Sequence, residues 1–260
     1  MDLIEKNSGP RHPWEKSRAA FFRSIFDRAL HERGSRDSYD PVSVLDCGAG
    51  DAYFAAHLLA GFGGRVRGVT CWDANYRDET ITELGHQYPR LSFTREMPKK
   101  VFGAAIMLDV IEHVEDDIGF VRNVVENCLE PGGLLLVSVP AWQSLFSRHD
   151  TRLLHHRRYK PKICDRVIEA AGIHIDKRGG LFHSLLVPRA IAVLGEHAAS
   201  LVHRPLPPLE SSSTAWSNAA AVTTVVDGAF RIDNALSRAA SRVGLVVPGL
   251  SYWVIGHKQR

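Results

Sequence analysis

The sequence predicts an α/β fold: a mostly parallel sheet with helices on both faces. Three observations predict it. The stretch Val42-Ser-Val-Leu-Asp-Cys-Gly-Ala-Gly-Asp-Ala-Tyr53 reads as a short β-branched strand, a glycine turn and a helix start in immediate succession. Val101–Leu108 is apolar on both faces, as a central strand covered by helices must be. Between these two runs and beyond them, short apolar segments alternate with segments of helical periodicity. At 260 residues the chain is long enough for one large domain or a domain with a small appendage. A formal charge of +3 is too small to imply a nucleic-acid partner. Cys47, Cys71, Cys128 and Cys164 are far apart and form no Cys-x-x-Cys, which suits reduced thiols and a cytoplasmic setting. No secretory leader is expected from the first residues, and no run is long and apolar enough to span a bilayer.

In chain order, residues 1–12 read as a polar lead-in. A helix starts at Pro13, with Ala19, Phe22, Ile25, Phe26, Ala29 and Leu30 at helical spacing and Gly34 as its stop. Trp14 is either a packing residue of that helix or part of a lid over a ligand. The first strand then ends at Asp46. Gly48 and Gly50 lack a Cβ and let a ligand lie against bare backbone, with the N–H groups of the next helix pointing at it. A dinucleotide fingerprint needs a third glycine where Tyr53 stands; a tyrosine there would crowd a pyrophosphate, which disfavours a nicotinamide oxidoreductase. Residues 65–72 form a second strand, and Asp73 falls at its end. The spacing suits a carboxylate that accepts from both hydroxyls of a ribose. The plain alternative is an N-cap for a helix over 74–87. Leu91–Thr94 is a short third strand, followed by a loop through Glu96 and Met97.

The fourth strand, ending at Leu108, runs into Asp109-Val-Ile-Glu-His113, and a helix is expected over 111–129. Pro131-Gly-Gly133 precedes a fifth strand over 134–140. These three segments, in this order, resemble the class I S-adenosylmethionine (SAM)-dependent methyltransferases: Val-Leu-Asp-x-Gly-x-Gly is similar to their motif I, with Ala52 in place of its last glycine, and Asp-Val-Ile-Glu-His to their segment after strand 4. The resemblance implies a Rossmann-like seven-stranded sheet whose last strand is antiparallel, with extra C-terminal helices. It implies SAM as cofactor and S-adenosylhomocysteine as product. Its cofactor pocket would be lined by Trp14, Asp46, Gly48, Ala49, Gly50, Tyr53, Asp73, Ala74, Glu96, Met97, Leu108, Asp109 and His113. Glu96 and Met97 would flank the adenine, and Leu108 to His113 the methionine end and the acceptor.

Residues 141–160 hold Trp142, His149, Asp150, His155, His156, Arg157, Arg158 and Tyr159. His-Asp-x-x-Leu-x-His-x-Arg-Arg-Tyr resembles a signature in a bacterial subset of that family, and His12-Pro-Trp-Glu…Arg18 resembles the start of the same subset. Three readings compete here: an acceptor site with Arg157 and Arg158 gripping a carboxylate or phosphate, a metal site from His149, Asp150 and His155, or a basic solvated loop. No metal is expected, because the ligand spacing on one element is not tight. If the acceptor is a hydroxyl or ammonium, a base must remove its proton, and His149, His155 or His113 is the candidate, with Arg157 and Tyr159 beside it.

A helix over 161–171 and a strand over 173–178 follow. Leu181–His203 is apolar with interruptions: a core helix, an acceptor cap or a helix lying on a membrane surface through 181–204. Residues 204–213 read as a linker, 215–243 as one or two helices, and 249–256 as the returning strand. The division expected is an N-terminal helical lid (1–40), a SAM-binding core (41–180), a helical insertion or cap (181–248) and the last strand (249–260). The expected reaction is methyl transfer to O or N of a small molecule or of a glycan- or lipid-linked intermediate. A non-catalytic SAM-binding subunit is the alternative.

Overall fold

The computed structural model describes residues 11–33, 40–62, 64–201 and 219–259. The lead-in before residue 11, the Gly34 stop and the 204–213 linker lie outside the described residues. Seven strands make one sheet: β1 (Val42–Cys47), β2 (Val66–Trp72), β3 (Leu91–Thr94), β4 (Phe102–Leu108), β5 (Leu129–Pro140), β6 (Ile173–Leu181) and β7 (Ser251–Lys258). Their order is β3-β2-β1-β4-β5-β7-β6. β1 through β5 pair in parallel; β7 runs antiparallel to both β5 and β6.

The helices are α1 (Pro13–Arg33), α2 (Tyr53–Gly61), α3 (Asp78–Gln87), α4 (Asp117–Cys128), α5 (Arg148–Arg152), α6 (Pro161–Ala170), α7 (Leu186–Leu201) and α8 (Ala220–Arg242). Alternation along each strand splits the core in two, because successive side chains leave a strand on opposite faces. Val44, Ala104, Ile106, Leu134, Leu136 and Trp253 meet α1, α2 and α8 on one face. Leu45, Ala105, Met107, Leu135, Val137 and Val254 meet α4 and α6 on the other. Lys258 ties the last strand to the end of α4 and the start of β5, its ammonium donating to the carbonyls of Val125 and Leu129 (2.7 and 2.8 Å).

Several boundaries depart from expectation. α3 begins at Asp78 rather than residue 74. The helix expected over 111–129 is broken: Ile111–His113 is a 3-10 turn, and α4 starts only at Asp117, where the Asp116 side chain caps it by accepting from the Gly119 N–H (2.9 Å). β5 starts at Leu129 instead of 134. Phe102 pairs with Leu129 and Ala104 with Leu134, so Glu130–Gly133 bulges out of the ladder. Residues 215–243 form one helix where described, α8.

Candidate functional site

The first part of the site is the turn after β1, at the carboxyl ends of the parallel strands. Gly48 and Gly50 take left-handed backbone (φ +64° and +53°). A Cβ on Gly48 would stand 2.8 Å from Cγ2 of Val110. The exit from β2 holds the turn in place. The N–H groups of Gly48 and Ala49 donate to the Trp72 carbonyl (2.7 and 3.3 Å). Gly50 donates its N–H to Asp73 (3.1 Å) and accepts from the Tyr76 hydroxyl (2.7 Å). Asp73 is buried and also accepts from the backbone N–H and side-chain amide of Asn75 (2.9 and 3.3 Å). It therefore closes a turn and joins it to β1. It does not cap α3, whose N-cap is Arg77, and Ala74 is exposed within that turn.

α1 covers this turn. A cleft of about 510 Å³, counted to its open mouth, lies between Asp46, Gly48, Ala49 and Leu108 below and Arg11, Glu15 and Arg18 above. Its enclosed part is only about 90 Å³, so the rest of that space is open to solvent. Arg11 pairs with Asp51 and lies over the Tyr53 ring, its guanidinium carbon 4.0 Å from the centroid. Arg18 reaches across to Asp109. Burial pushes the Asp46 carboxyl up to about 7, with Asp73 and Asp51 adding to the rise and Arg18 opposing it. Trp14 does not line the cleft; it packs edge-on against Phe182 (6.2 Å between rings) and under the Arg18 guanidinium (4.8 Å). Glu96 and Met97 lie apart from the cleft, lining a separate open depression with Thr94 and Pro98. A left-handed, Cβ-free turn, a carboxylate at the end of the next strand and cations over the opening fit a nucleoside that carries an amino acid.

The second part follows β4. Asp109 takes left-handed backbone (φ +57°) and its carboxylate accepts from the Ser138 hydroxyl (3.0 Å). Glu112, in the 3-10 turn, is fully buried and neither carboxylate oxygen has a hydrogen-bond partner. Burial, with Asp109 nearby, pushes its pKa well up. His113 bonds the Leu154 carbonyl and sits edge-on to His155, ring centroids 4.7 Å apart. Burial lowers the His113 pKa to about 4. Glu112, His113 and His155 bring one ligand-type atom each to within 4.8 Å of one another.

The segment after β5 is held by two buried carboxylates. Asp150 accepts from the Ser147 N–H (3.0 Å), Nδ1 of His155 (3.1 Å), Nε of Arg158 (2.7 Å) and Nη2 of Arg189 (2.7 Å). Burial alone would raise its pKa, but the His155 hydrogen bond and the arginines outweigh that and hold it well below the usual carboxylate range. Asp117 accepts from Arg157 (3.0 Å) and from the Tyr159 hydroxyl (2.6 Å). Of the three readings weighed for this segment, an anion grip by Arg157 and Arg158 would call on two arginines that already face carboxylates. Arg157 also donates to the Glu115 carbonyl (2.7 Å), and Arg158 is buried on Asp150. Tyr159 is buried, its hydroxyl spent on Asp117 and the Ile111 carbonyl. His149 is half-buried, its pKa lowered by burial and then by Arg189. It does not join the His113–His155 pair within the described residues. The metal set weighed from sequence fails at Asp150, whose oxygens already face five donor groups, the Ser147 hydroxyl included (3.4 Å).

Sequence reasoning missed Arg11, Arg18 and Glu112 as site residues. Arg11, Glu15 and Arg18 fall at i, i+4 and i+7, one face of the first helix and its lead-in, which was the available signal. Glu112 was within a quoted motif but carried no role, because nothing local shows that it is buried.

A family model described as "Methyltransferase domain" matches residues 14–177. No curated protein matches the chain by sequence. Among solved structures, a Galdieria sulphuraria protein described as a sarcosine dimethylglycine methyltransferase is similar at TM-score 0.54 and 12% identity, over 94% of this chain and 84% of that one. An S-adenosylmethionine-dependent methyltransferase from Mesorhizobium loti is similar at TM-score 0.50 and 12% identity, over 89% and 96%. The [4+2]-cyclase SpnF is similar at TM-score 0.50 and 14% identity, over 99% and 85%. These likenesses establish the fold, and the family match covers well over half of the chain. The chain belongs to the methyltransferase domain family and is a class I enzyme with S-adenosylmethionine as its cofactor.

Proposed function

We propose that the enzyme transfers the methyl group to an oxygen or nitrogen of a small molecule, free or glycan- or lipid-linked, by in-line displacement. One observation carries the reading: at the end of β4, Asp109 faces the cleft through Arg18, and Glu112 and His113, a few residues on, meet His155. The cofactor cleft and a group of proton-handling side chains thus share one strand end. When bound, the cofactor supplies a methyl group on a positively charged sulfur, so no covalent intermediate on the protein is needed. What is left to the chain is orientation and exclusion of water.

In this reading Asp73 accepts the ribose hydroxyls and Gly48, Ala49 and Gly50 offer bare backbone. Leu108 borders the methionine portion, the adenine extends out of the cleft toward the depression lined by Glu96 and Met97, and Tyr53 and Ala74 complete the rim. Arg18 is the cation for the amino-acid carboxylate, and Asp46 lies beneath the charged end. α1 acts as the lid, through Glu15 and Arg18 more than Trp14, and 181–248 as a cap. His155 prepares the acceptor because Asp150 fixes its ring; Arg157 and Tyr159 position that segment from Asp117.

A lipid-linked acceptor is supported by α7, which exposes Val187, Ile191, Leu194 and Leu201 at helical spacing. No helix among the described residues is long and apolar enough to cross a membrane, so contact would be peripheral. All four cysteines are free and buried, which supports work in a reducing compartment such as the cytoplasm.

The test is incubation of the purified chain with methyl-labelled SAM and fractionated cell extract. Label is expected in a small-molecule or lipid fraction, and it should fall at least tenfold in His155→Ala while S-adenosylhomocysteine affinity is kept. Label confined to protein or nucleic acid would contradict the proposal.

A further inference from the structure

We propose that Glu112, His113 and His155 form a binding site for a divalent transition-metal ion of the zinc class, one coordination position of which is left for the acceptor. Four observations on the described residues carry it. First, Glu112 is fully buried and both of its carboxylate oxygens lack a partner. A buried carboxyl without a partner needs a hydrogen-bond partner or a cation. Second, one ligand atom from each of the three residues lies within 4.8 Å of the others. Metal–ligand bonds of about 2.0–2.2 Å put tetrahedral ligands roughly 3.4 Å apart, so small side-chain rotations close the set. Third, each imidazole already has a backing partner. Nδ1 of His155 is on Asp150 (3.1 Å), leaving Nε2 to ligate, and His113 is bonded to the Leu154 carbonyl. A carboxylate or carbonyl behind each ligating histidine is the usual support of a metal site. Fourth, the three ligands come from two segments, and three is the protein-ligand count of a catalytic zinc site.

Bound there, the ion would lower the pKa of a coordinated hydroxyl of the acceptor. That role rests on the methyl-transfer reading; the metal site itself does not. This set differs from the one the sequence brought to mind. Asp150 serves behind a ligand instead of as one, and Glu112 takes its place.

The test uses the full chain, stripped with chelator and titrated with Zn²⁺ by calorimetry, and separately loaded with Co²⁺ for visible spectroscopy. Expected are one equivalent of Zn²⁺ and the intense d–d bands of four-coordinate Co²⁺. E112Q, H113A and H155A should each weaken Zn²⁺ binding at least tenfold while circular dichroism stays unchanged, and E112Q and H155A should keep the parent's S-adenosylhomocysteine affinity. Failure of the wild-type chain to take up one equivalent of Zn²⁺, or uptake indifferent to all three substitutions, would overturn the proposal. Metal uptake without S-adenosylhomocysteine binding would instead count against the cofactor cleft, so the two claims fail separately.

Discussion

The two halves of the site are built differently. The cofactor half is a backbone structure: two left-handed glycines, the Trp72 carbonyl and the Gly50 peptide group, fixed by Asp73 and Tyr76. The half beyond β5 is a side-chain structure, in which Asp117 and Asp150 gather arginines, a tyrosine and a histidine from distant parts of the chain. A backbone site is set by local residue types and spacing. A buried charge network is set by which residues meet in three dimensions. The first tolerates sequence change outside its glycines and its carboxylate; the second fails when any one partner is removed.

The largest expected effect is on the second half. Arg158→Ala leaves Asp150 buried with one donor fewer, and breaking a buried pair in this way costs about 3–5 kcal/mol. Urea denaturation should show that loss, while the folded fraction keeps its S-adenosylhomocysteine affinity. A variant as stable as the parent would mean that Asp150 does not organise the segment.

The next effect sharpens the cofactor half through pH. The Asp46 carboxyl moves from an ordinary 3.8 to about 7 in the folded chain. A carboxyl raised on folding favours the fold while both states are protonated, below pH 3.8, and that contribution is lost as pH rises through about 7. Asp46→Asn cannot ionise. Its unfolding free energy, read by urea denaturation, should therefore gain on the parent as pH rises through that window, by an amount on the order of a few kcal/mol at the alkaline end. A difference that is flat with pH would show that Asp46 is not held neutral by burial.

The smallest of the three separates recognition from scaffolding. Asp73→Ala removes a carboxylate that accepts three hydrogen bonds in the turn and, in the proposed reading, the ribose acceptor. S-adenosylhomocysteine affinity should drop roughly 10–100-fold, the worth of hydrogen bonds to a charged group. Asp73→Asn, which can still accept at one oxygen, should recover part of it. Equal affinity in the parent and both variants would leave Asp73 only its structural part.

The same contrast explains what the sequence made legible. The β1 turn, the doubly apolar β4 and the antiparallel return of β7 could be read, because strand patterns, glycines and the resemblance they support are carried by local residues. The start of α3 could not: Asp73 has the composition of an N-cap, but its side chain goes to Gly50 and Asn75, and the helix waits until Asp78. The start of β5 was hidden because pairing resumes on both sides of the Glu130–Gly133 bulge. Arg157 and Arg158 looked like ligands for an anion because their carboxylates, Asp117 and Asp150, are assigned only by the fold. Glu112 was hidden for the converse reason: nothing in the local sequence marks a glutamate beside a histidine as fully buried, which it is in the fold.

The most direct measurement is a crystal structure of the chain with S-adenosylhomocysteine. The adenosyl group is expected against Gly48–Gly50 with its ribose on Asp73, and the sulfur toward the end of β4, from which Asp109, Glu112 and His113 follow. A sulfur directed toward any other group of side chains, or a ligand seated away from the β1 turn, would contradict this arrangement.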